Sequence, residues 1–108
     1  MHKRLPLILG LMSLAAALVF AAETATHTLR PKDGFVPNAK TAIKIAVAVW
    51  EPIYGEDKIA REKPYRARVG TNGVWIVEGS LPEGYLGGVA IAEIAKEDGR
   101  ILRVSHGK

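Results

Sequence analysis

The stretch from Ala39 to Lys108 combines one amphipathic helix with several short, closely spaced strands. A helix with one apolar stripe buries that stripe against another element, and here the strands supply a sheet for it to pack on. No disulfide can support such a fold, because the chain contains no cysteine. The pattern therefore predicts an α+β domain whose stability rests on its apolar core.

The predicted helix begins after Asn38, whose side chain can accept a hydrogen bond from the first turn. Apolar residues then recur at intervals of three and four, and this stripe consists of Ala39, Ala42, Ile43, Ala46, Val49 and Trp50. Pro52 is expected to end the helix, since its ring clashes with the carbonyl group four residues earlier. The sequence allows a short second helical turn from Gly55 to Glu62. Its inward-facing residues would be Ile53, Tyr54 and Ile59.

After Pro64 the apolar residues alternate, which predicts a half-buried strand from Tyr65 to Val69 with Arg66 and Arg68 facing water. The Asn72-Gly73 pair predicts a tight turn, so the next strand, from 74 to 79, should return antiparallel.

The segment from Ser80 to Gly88 is predicted to be a loop because of its glycines and Pro82. A third strand from Val89 to Lys96 is apolar on both faces, which favours a central position in the sheet, and a fourth strand runs from Ile101 to Ser105. About four antiparallel strands are thus expected in a curved sheet. One face takes the helix. The other is expected to offer an apolar patch for the leader, a second subunit or a partner, formed by Val74, Ile76, Val89 and Ile91.

The N-terminus has the pattern of a secretory signal peptide over residues 1–22. A basic start is followed by an uncharged apolar run that ends in small residues, and cleavage is expected near Ala21/Ala22. An uncleaved membrane anchor is the alternative, because the run approaches the length of a membrane span. Residues 23–37 are predicted to be an extended leader, and residues 38–108 a single domain. The product would be periplasmic or secreted.

Charge argues against a nucleic-acid partner. Without residues 1–22 the chain keeps 13 basic and 11 acidic side chains, a net charge of +2. The densest basic group is Lys63, Arg66 and Arg68, and it is interleaved with Glu62. A nucleic-acid interface usually carries a continuous basic stripe. Contact with a membrane is expected only through the signal peptide.

Two strand carboxylates, Glu78 and Glu93, could face the same side of the sheet, as an acid and base pair requires. The stronger interpretation is that they pair across the strands with arginines. The candidate arginines are Arg66, Arg68 and Arg103.

Nothing else in the sequence predicts catalysis. The histidines after residue 22 are His27 in the leader and His106 near the C-terminus, so no regular spacing brings them onto one metal ion. Ser80 and Ser105 lack the context of an activated nucleophile. We therefore predict no catalytic residue, no metal ligand and no cofactor, and we expect a binding protein rather than an enzyme.

Aromatic residues are the best candidates for partner contacts, because they bury much area at low entropic cost. Trp50, Tyr54 and Trp75 are expected in the core, whereas Tyr85 lies in the glycine-rich loop. The predicted partner-binding residues are Tyr85, Glu83, Arg66 and Arg68.

Several motifs occur in a fixed order along the chain. They are the helix run PNAKTAIKIAVAVWEPIYG, Pro64-Tyr65, the strand WIVEG, Gly87-Gly88 and the turn from Asp98 to Ile101. Together they resemble the bacterial immunity-protein family with a nuclear transport factor 2 (NTF2) fold, over Val36 to Lys108. The visible elements would form a trimmed version of that fold.

The resemblance implies a non-catalytic protein that neutralises a cognate toxin of a polymorphic toxin system by direct binding. Two alternatives stay open. A small-ligand or enzymatic pocket would place Glu78, Glu93 or Tyr65 inside a cavity, on the analogy of the wider fold. A structural or regulatory module of the cell envelope would associate with itself or with a peptidase, so a homo-oligomer is also possible.

Overall fold

The structure, a computed structural model, describes residues 27–108, and within this range Pro31–Lys108 form one compact unit. The predicted signal peptide, its cleavage site near Ala21/Ala22 and residues 23–26 of the leader lie outside the described residues. No helix in the described range is long and apolar enough to cross a membrane.

Helix α1 spans Ala39–Tyr54 and begins where the sequence predicts. The Asn38 side chain accepts a hydrogen bond of 2.9 Å from the backbone N–H of Thr41, which satisfies one free donor of the first turn. The stripe predicted from the spacing faces the sheet, with its fully buried members Ala42, Ala46 and Trp50.

The prediction that Pro52 ends α1 is wrong. The helix continues for two residues beyond Pro52 and ends at Gly55, whose φ of +99° suits glycine. Pro52 removes a single intrahelical hydrogen bond, the one to the carbonyl group of Ala48, and Ala48 lies on the exposed side of the helix. Water can bond that carbonyl group, so the proline is tolerated in the last turn.

Helix α2, Glu56–Ala60, is the short second helix that the sequence allows. Ile59 is fully buried and Tyr54 is half-buried, as predicted, but Ile53 is 57% exposed. The buried stripe of α1 follows steps of four residues to Tyr54, which turns the side chain of Ile53 away from the sheet.

Four antiparallel strands form the sheet in the order β1-β2-β3-β4. They are β1 Arg66–Val69, β2 Val74–Glu78, β3 Ala90–Ala95 and β4 Ile101–His106. β3 is an interior strand, and the β1-β2 turn contains Gly73 at φ +73°, both as predicted. A register shift between Glu93 and Ile94 interrupts the β3-β4 pairing, and such a bulge bends a strand. The α+β architecture of a helix on an antiparallel sheet is therefore confirmed.

The inner face of the sheet, which packs against α1, forms the core. One row of paired residues crosses all four strands and consists of Ala67, Val77, Ala92 and Val104. Trp50 reaches this face from α1, and its indole N–H donates to the carbonyl oxygen of Ile91 at 3.3 Å. The helix is thus held to β3 by packing and by one hydrogen bond.

Part of the predicted leader also packs into this core. Val36 is fully buried, and its backbone N–H donates to the carbonyl oxygen of Lys96 at 3.0 Å. The carbonyl oxygen of Val36 accepts a hydrogen bond of 2.8 Å from the indole N–H of Trp75. Phe35, its neighbour, is 47% exposed. An extended segment without regular secondary structure therefore contributes one residue to the core.

Candidate functional site

The outer face of the sheet, turned away from α1, carries both strand carboxylates. Glu78 bonds Arg68 at 2.8 Å, and Glu93 bonds Arg103 across β3 and β4. Both carboxylates therefore share a face, and both pair with arginines across the strands, as the stronger sequence interpretation states.

The apolar patch predicted on this face shares the face with two ion pairs. Its four members are half-buried, and the two ion pairs lie among them on the same face. They are Val74, Ile76, Val89 and Ile91. A protein-protein contact usually requires a broader exposed apolar area. The exposed large apolar side chains of the 80–88 loop make a better surface.

A cleft of about 680 Å³ lies between α2 and this loop. Four polar residues line one part of it: Lys58, Arg61, Glu62 and His106. The loop lines the rest with Leu81, Pro82, Tyr85, Leu86 and Gly88. Apolar walls with a few convergent polar groups are typical of binding sites.

A hydrogen bond between Glu62 and His106, which we term the clasp, forms the polar floor of the cleft. The distance from His106 Nε2 to Glu62 Oε2 is 2.8 Å, and the two side chains are only 14% and 8% exposed. The other ring nitrogen, Nδ1, lies 2.8 Å from the carbonyl oxygen of Gly107. The ring also contacts Tyr54 at a centroid distance of 5.1 Å. The imidazole is thus fixed in position by α1 and by the chain after α2.

The Glu62 carboxylate also holds the sheet. Its Oε1 accepts a hydrogen bond of 2.8 Å from the buried N–H of Ala90, at the start of β3. The Glu62 carbonyl oxygen accepts another, of 2.6 Å, from the N–H of Ser80. One residue therefore joins the end of α2 to β3, to β4 and to the start of the 80–88 loop.

Two glycines make this arrangement possible. A Cβ atom at Gly79 would lie 2.5 Å from Glu62 Oε1 and 2.9 Å from Glu62 Cβ, so a larger residue would displace the carboxylate. A Cβ atom at Gly88 would overlap the backbone of Gly107. Gly79 and Gly88 bound the loop at both ends, and their lack of side chains lets it approach Glu62 and the C-terminal segment.

The cleft has a positive balance of charge. Lys58 and Arg61 are both exposed cations, and Glu62 is the single carboxylate in its lining. Within the described residues neither Lys58 nor Arg61 forms an ion pair, whereas both oxygens of Glu62 accept hydrogen bonds. The positive potential of the two cations is therefore available to an incoming group.

Tyr65 stabilises the segment that leads from α2 into β1. Its hydroxyl group donates to the carbonyl oxygen of Ile59 at 2.8 Å, and its ring lies 5.9 Å from that of Trp50. Burial raises the pKa of the Tyr65 phenol, and the nearby carboxylates of Glu51 and Glu62 raise it further. The hydroxyl group therefore stays protonated as a donor at neutral pH. Tyr65 does not line the cleft.

The predicted partner-binding residues lie in two places. Tyr85, 68% exposed, lines the cleft, and Glu83 is exposed in the same loop. Arg66 and Arg68 are exposed on the outer face and do not line the cleft. The four residues therefore do not form a single cleft surface, and their partner-binding role stays a prediction.

Sequence reasoning missed both members of the clasp. In the sequence His106 is an isolated histidine near the C-terminus, and Glu62 is one charge within a basic group. One signal could have identified Glu62, because it follows the buried Ile59 by three residues and so faces the same way on a helical turn. No pattern among the neighbouring residues indicates that His106 contacts Glu62. The pairing of β4 with β3 brings the two residues together.

The side chains that line the cleft determine which groups it can contact. Among residues 27–108 no three His, Asp or Glu side chains converge as metal ligands would. The cleft lining contains no serine, threonine or cysteine nucleophile, and its carboxylate already accepts two hydrogen bonds. What remains available is two cations beside exposed apolar side chains.

Comparison with known proteins agrees with the fold. A family model described as "NTF2 fold immunity protein" matches residues 41–108. The chain is also similar to "Uncharacterized protein YhhH" of Escherichia coli (strain K12), with 42% identity over 74 residues. That alignment covers 68% of this chain and 58% of the relative, so the chain spans less than two thirds of the relative's length. No solved structure matches the chain. The family match extends over more than half of the chain and includes both members of the clasp, and the chain therefore belongs to the NTF2 fold immunity protein family.

Proposed function

We propose that this protein is exported and neutralises a cognate toxin by binding it directly, with the cleft and the 80–88 loop as the contact surface. The observation that carries the proposal is the family match over residues 41–108, which includes every residue of the cleft. The signal-peptide pattern of residues 1–22 supports action in the periplasm or outside the cell.

The loop supplies the apolar contacts that a tight complex needs. Leu86 is fully exposed, Tyr85 is 68% exposed and Leu81 is 40% exposed. Burying a large apolar side chain contributes roughly 1.5–3 kcal/mol, and tyrosine is enriched among residues that dominate binding energy. These side chains sit beside two cations, so one surface offers both apolar area and charge.

The proposed mechanism is occlusion without catalysis. A general base must be directed at the proton that it removes, whereas the Glu62 carboxylate is directed at the N–H of Ala90 and at the ring of His106. The clasp instead keeps the floor of the cleft rigid, and a preformed surface loses less entropy on binding.

The test is capture followed by neutralisation. Tagged protein comprising residues 23–108 is used to capture partners from the envelope and secreted fractions of the source cells. We expect a large secreted protein whose C-terminal module is toxic when expressed alone and harmless when expressed with this chain. A captured partner without toxicity, or a toxin that this chain does not neutralise, would contradict the proposal.

Two variants locate the contact. Tyr85→Ala should weaken toxin binding by about tenfold, because it removes an exposed aromatic anchor. Ile53→Ala is the matched control, since Ile53 is 57% exposed and lies outside the cleft. Equal losses for both variants would exclude the cleft as the contact surface.

The size of the cleft also favours a second candidate function, the binding of a small ligand. A volume of about 680 Å³ lies in the usual range for small-molecule sites. The residues expected for such a pocket, Glu78, Glu93 and Tyr65, do not line it. A thermal-shift screen of small organic acids decides between the two, because only a true ligand site would be stabilised in the absence of a protein partner.

The third interpretation, a self-associating envelope module, makes a separate prediction. It requires an oligomer at micromolar concentration, formed through a surface such as the outer face. Light scattering during size exclusion measures the mass directly. A monomer would contradict self-association, and the absence of a peptidase among the captured partners would contradict the other form of this interpretation.

A further inference from the structure

We infer that the toxin segment seated in the cleft carries an acidic side chain next to an apolar one, so that a carboxylate meets Lys58 and Arg61 while its neighbour packs on the loop. This inference rests on the proposed function and specifies the chemistry of the partner.

The first step is the placement of the two cations. Lys58 and Arg61 are three residues apart at the end of α2, a spacing that puts both side chains on one side of a helical turn. Both are exposed and line the cleft, and neither is paired within the described residues. A carboxylate between them would accept charge-assisted hydrogen bonds, which are roughly twice as strong as neutral ones.

Among residues 27–108 no carboxylate pairs with these two cations. Glu62 is the acid that lines the cleft, and its oxygens bond the N–H of Ala90 and the ring of His106. The other acids of α2 and the loop, Glu56, Asp57 and Glu83, do not line the cleft. The charge of the two cations is therefore complementary to an external acid.

The 80–88 loop lines the part of the cleft away from the two cations. Leu81, Tyr85 and Leu86 form an apolar wall that is 40 to 100% exposed. An acidic group alone would leave this wall in water. A segment that combines a carboxylate with a leucine, phenylalanine or similar side chain satisfies both parts of the cleft.

The shape of the site favours a protein segment over a lipid surface. Peripheral membrane binding commonly uses an amphipathic helix that lies in the interface and buries its apolar face there. Tyr85 and Leu86 instead line a concave space of about 680 Å³ together with the floor formed by the clasp. A protruding loop or chain terminus of the toxin can enter such a space, whereas a bilayer cannot.

The experiment uses a random dodecapeptide library displayed on phage and selected on the protein comprising residues 23–108. We expect enriched peptides to carry Asp or Glu within two positions of a large apolar residue. The double variant Lys58→Glu/Arg61→Glu should bind them at least tenfold more weakly, since it reverses both charges at a partly desolvated contact. Replacing the peptide's acid with Lys should restore binding to this variant.

The matched control is Lys40→Glu/Lys44→Glu. These two lysines are exposed on α1, and their reversal changes the net charge by the same amount as the cleft variant. Thermal unfolding of both variants verifies that they fold. Selection of basic or purely apolar peptides, or equal weakening by the two double variants, would overturn the inference. So would binding of anionic phosphatidylglycerol vesicles that requires Lys58 and Arg61 in the absence of any selected peptide.

Toxin neutralisation separates this inference from the proposed function. If the wild-type protein fails to neutralise the toxin, the immunity role is wrong. The peptide selection still tests whether the cleft binds segments that carry an acidic residue next to an apolar one. If the wild-type protein and the cleft double variant neutralise the toxin equally well, the immunity role stands and the acidic contact is wrong.

Discussion

Replacement of Glu62 by Ala should cost far more stability than replacement by Gln. Glu62 is the one carboxylate that is buried in the described part of the chain, at 6% exposure. Its two oxygens accept from the N–H of Ala90 and from His106, both at 2.8 Å. Alanine removes both acceptors, whereas glutamine keeps one acceptor for Ala90 and places an NH₂ group beside a ring nitrogen that can accept when the imidazole is neutral.

The magnitude follows from the groups left without partners. An unpaired buried N–H at Ala90 costs about 1–3 kcal/mol, and the lost bond to His106 adds about 1 kcal/mol, so Glu62→Ala should lose about 2–4 kcal/mol. Glu62→Gln should lose only about 0.5–1.5 kcal/mol, because its hydrogen bonds persist without the charge. In a domain of this size each kcal/mol shifts the melting temperature by roughly 4–8 °C.

Urea unfolding followed by tryptophan fluorescence measures both variants, since Trp50 and Trp75 are buried in the core. Glu83→Ala serves as the control, because an exposed loop acid should change stability by no more than about 0.5 kcal/mol. A loss below about 1 kcal/mol for Glu62→Ala would refute the structural role of the clasp. Equal losses for the Ala and Gln variants would show that charge, and not hydrogen-bond geometry, holds the site together.

Three further predictions concern single contacts. Trp75→Phe should destabilise the domain by about 1–2 kcal/mol in urea unfolding, since it removes the bond to the Val36 carbonyl oxygen, and an unchanged midpoint would contradict that bond. Burial raises the pKa of Tyr65 above 10.0, so its contribution to stability is complete below about pH 10 and is lost as pH rises through the higher folded value. Tyr65→Phe should therefore show a smaller alkaline loss of unfolding free energy than the wild type, and identical pH profiles would refute this. Tyr85→Ala should leave the melting temperature within about 3 °C of the wild type, because Tyr85 is 68% exposed, and a large drop would place it in the core.

The sequence patterns predicted the start of α1 and the β1-β2 turn correctly, because each depends on an interaction between neighbouring residues. Asn38 caps α1 through a hydrogen bond to its own first turn, and Gly73 permits the positive φ of the β1-β2 turn. The apolar character of both faces of β3 indicated its interior position, and β3 pairs with both β2 and β4. The cap and the turn each form within a few residues of their signal.

The errors arose where a local rule was applied too strictly. Pro52 costs one hydrogen bond, but in a last turn that loss is smaller than the packing gained by Trp50 and Tyr54. Val36 belongs to the predicted leader, and its burial depends on Trp75, 39 residues away.

The clasp could not be predicted for a related physical reason. Glu62 and His106 are 44 residues apart, and their contact depends on three things at once: the pairing of β4 with β3, the position of α2, and glycines at 79 and 88 that let the chain pass closely. A burial pattern reports only which side of one element faces inward. A polar contact between elements requires the complete topology.

The same topology explains why the cleft is suited to binding. Both oxygens of Glu62 are held by structural hydrogen bonds, so its carboxylate forms no ion pair with Lys58 or Arg61. If glutamine at position 62 preserves the fold, it removes the remaining negative charge of the lining, so an acidic peptide should bind this variant at least as tightly as it binds the wild type. Weaker binding would mean that the clasp contributes to recognition through its charge, and that Lys58 and Arg61 do not set the preference of the cleft by themselves.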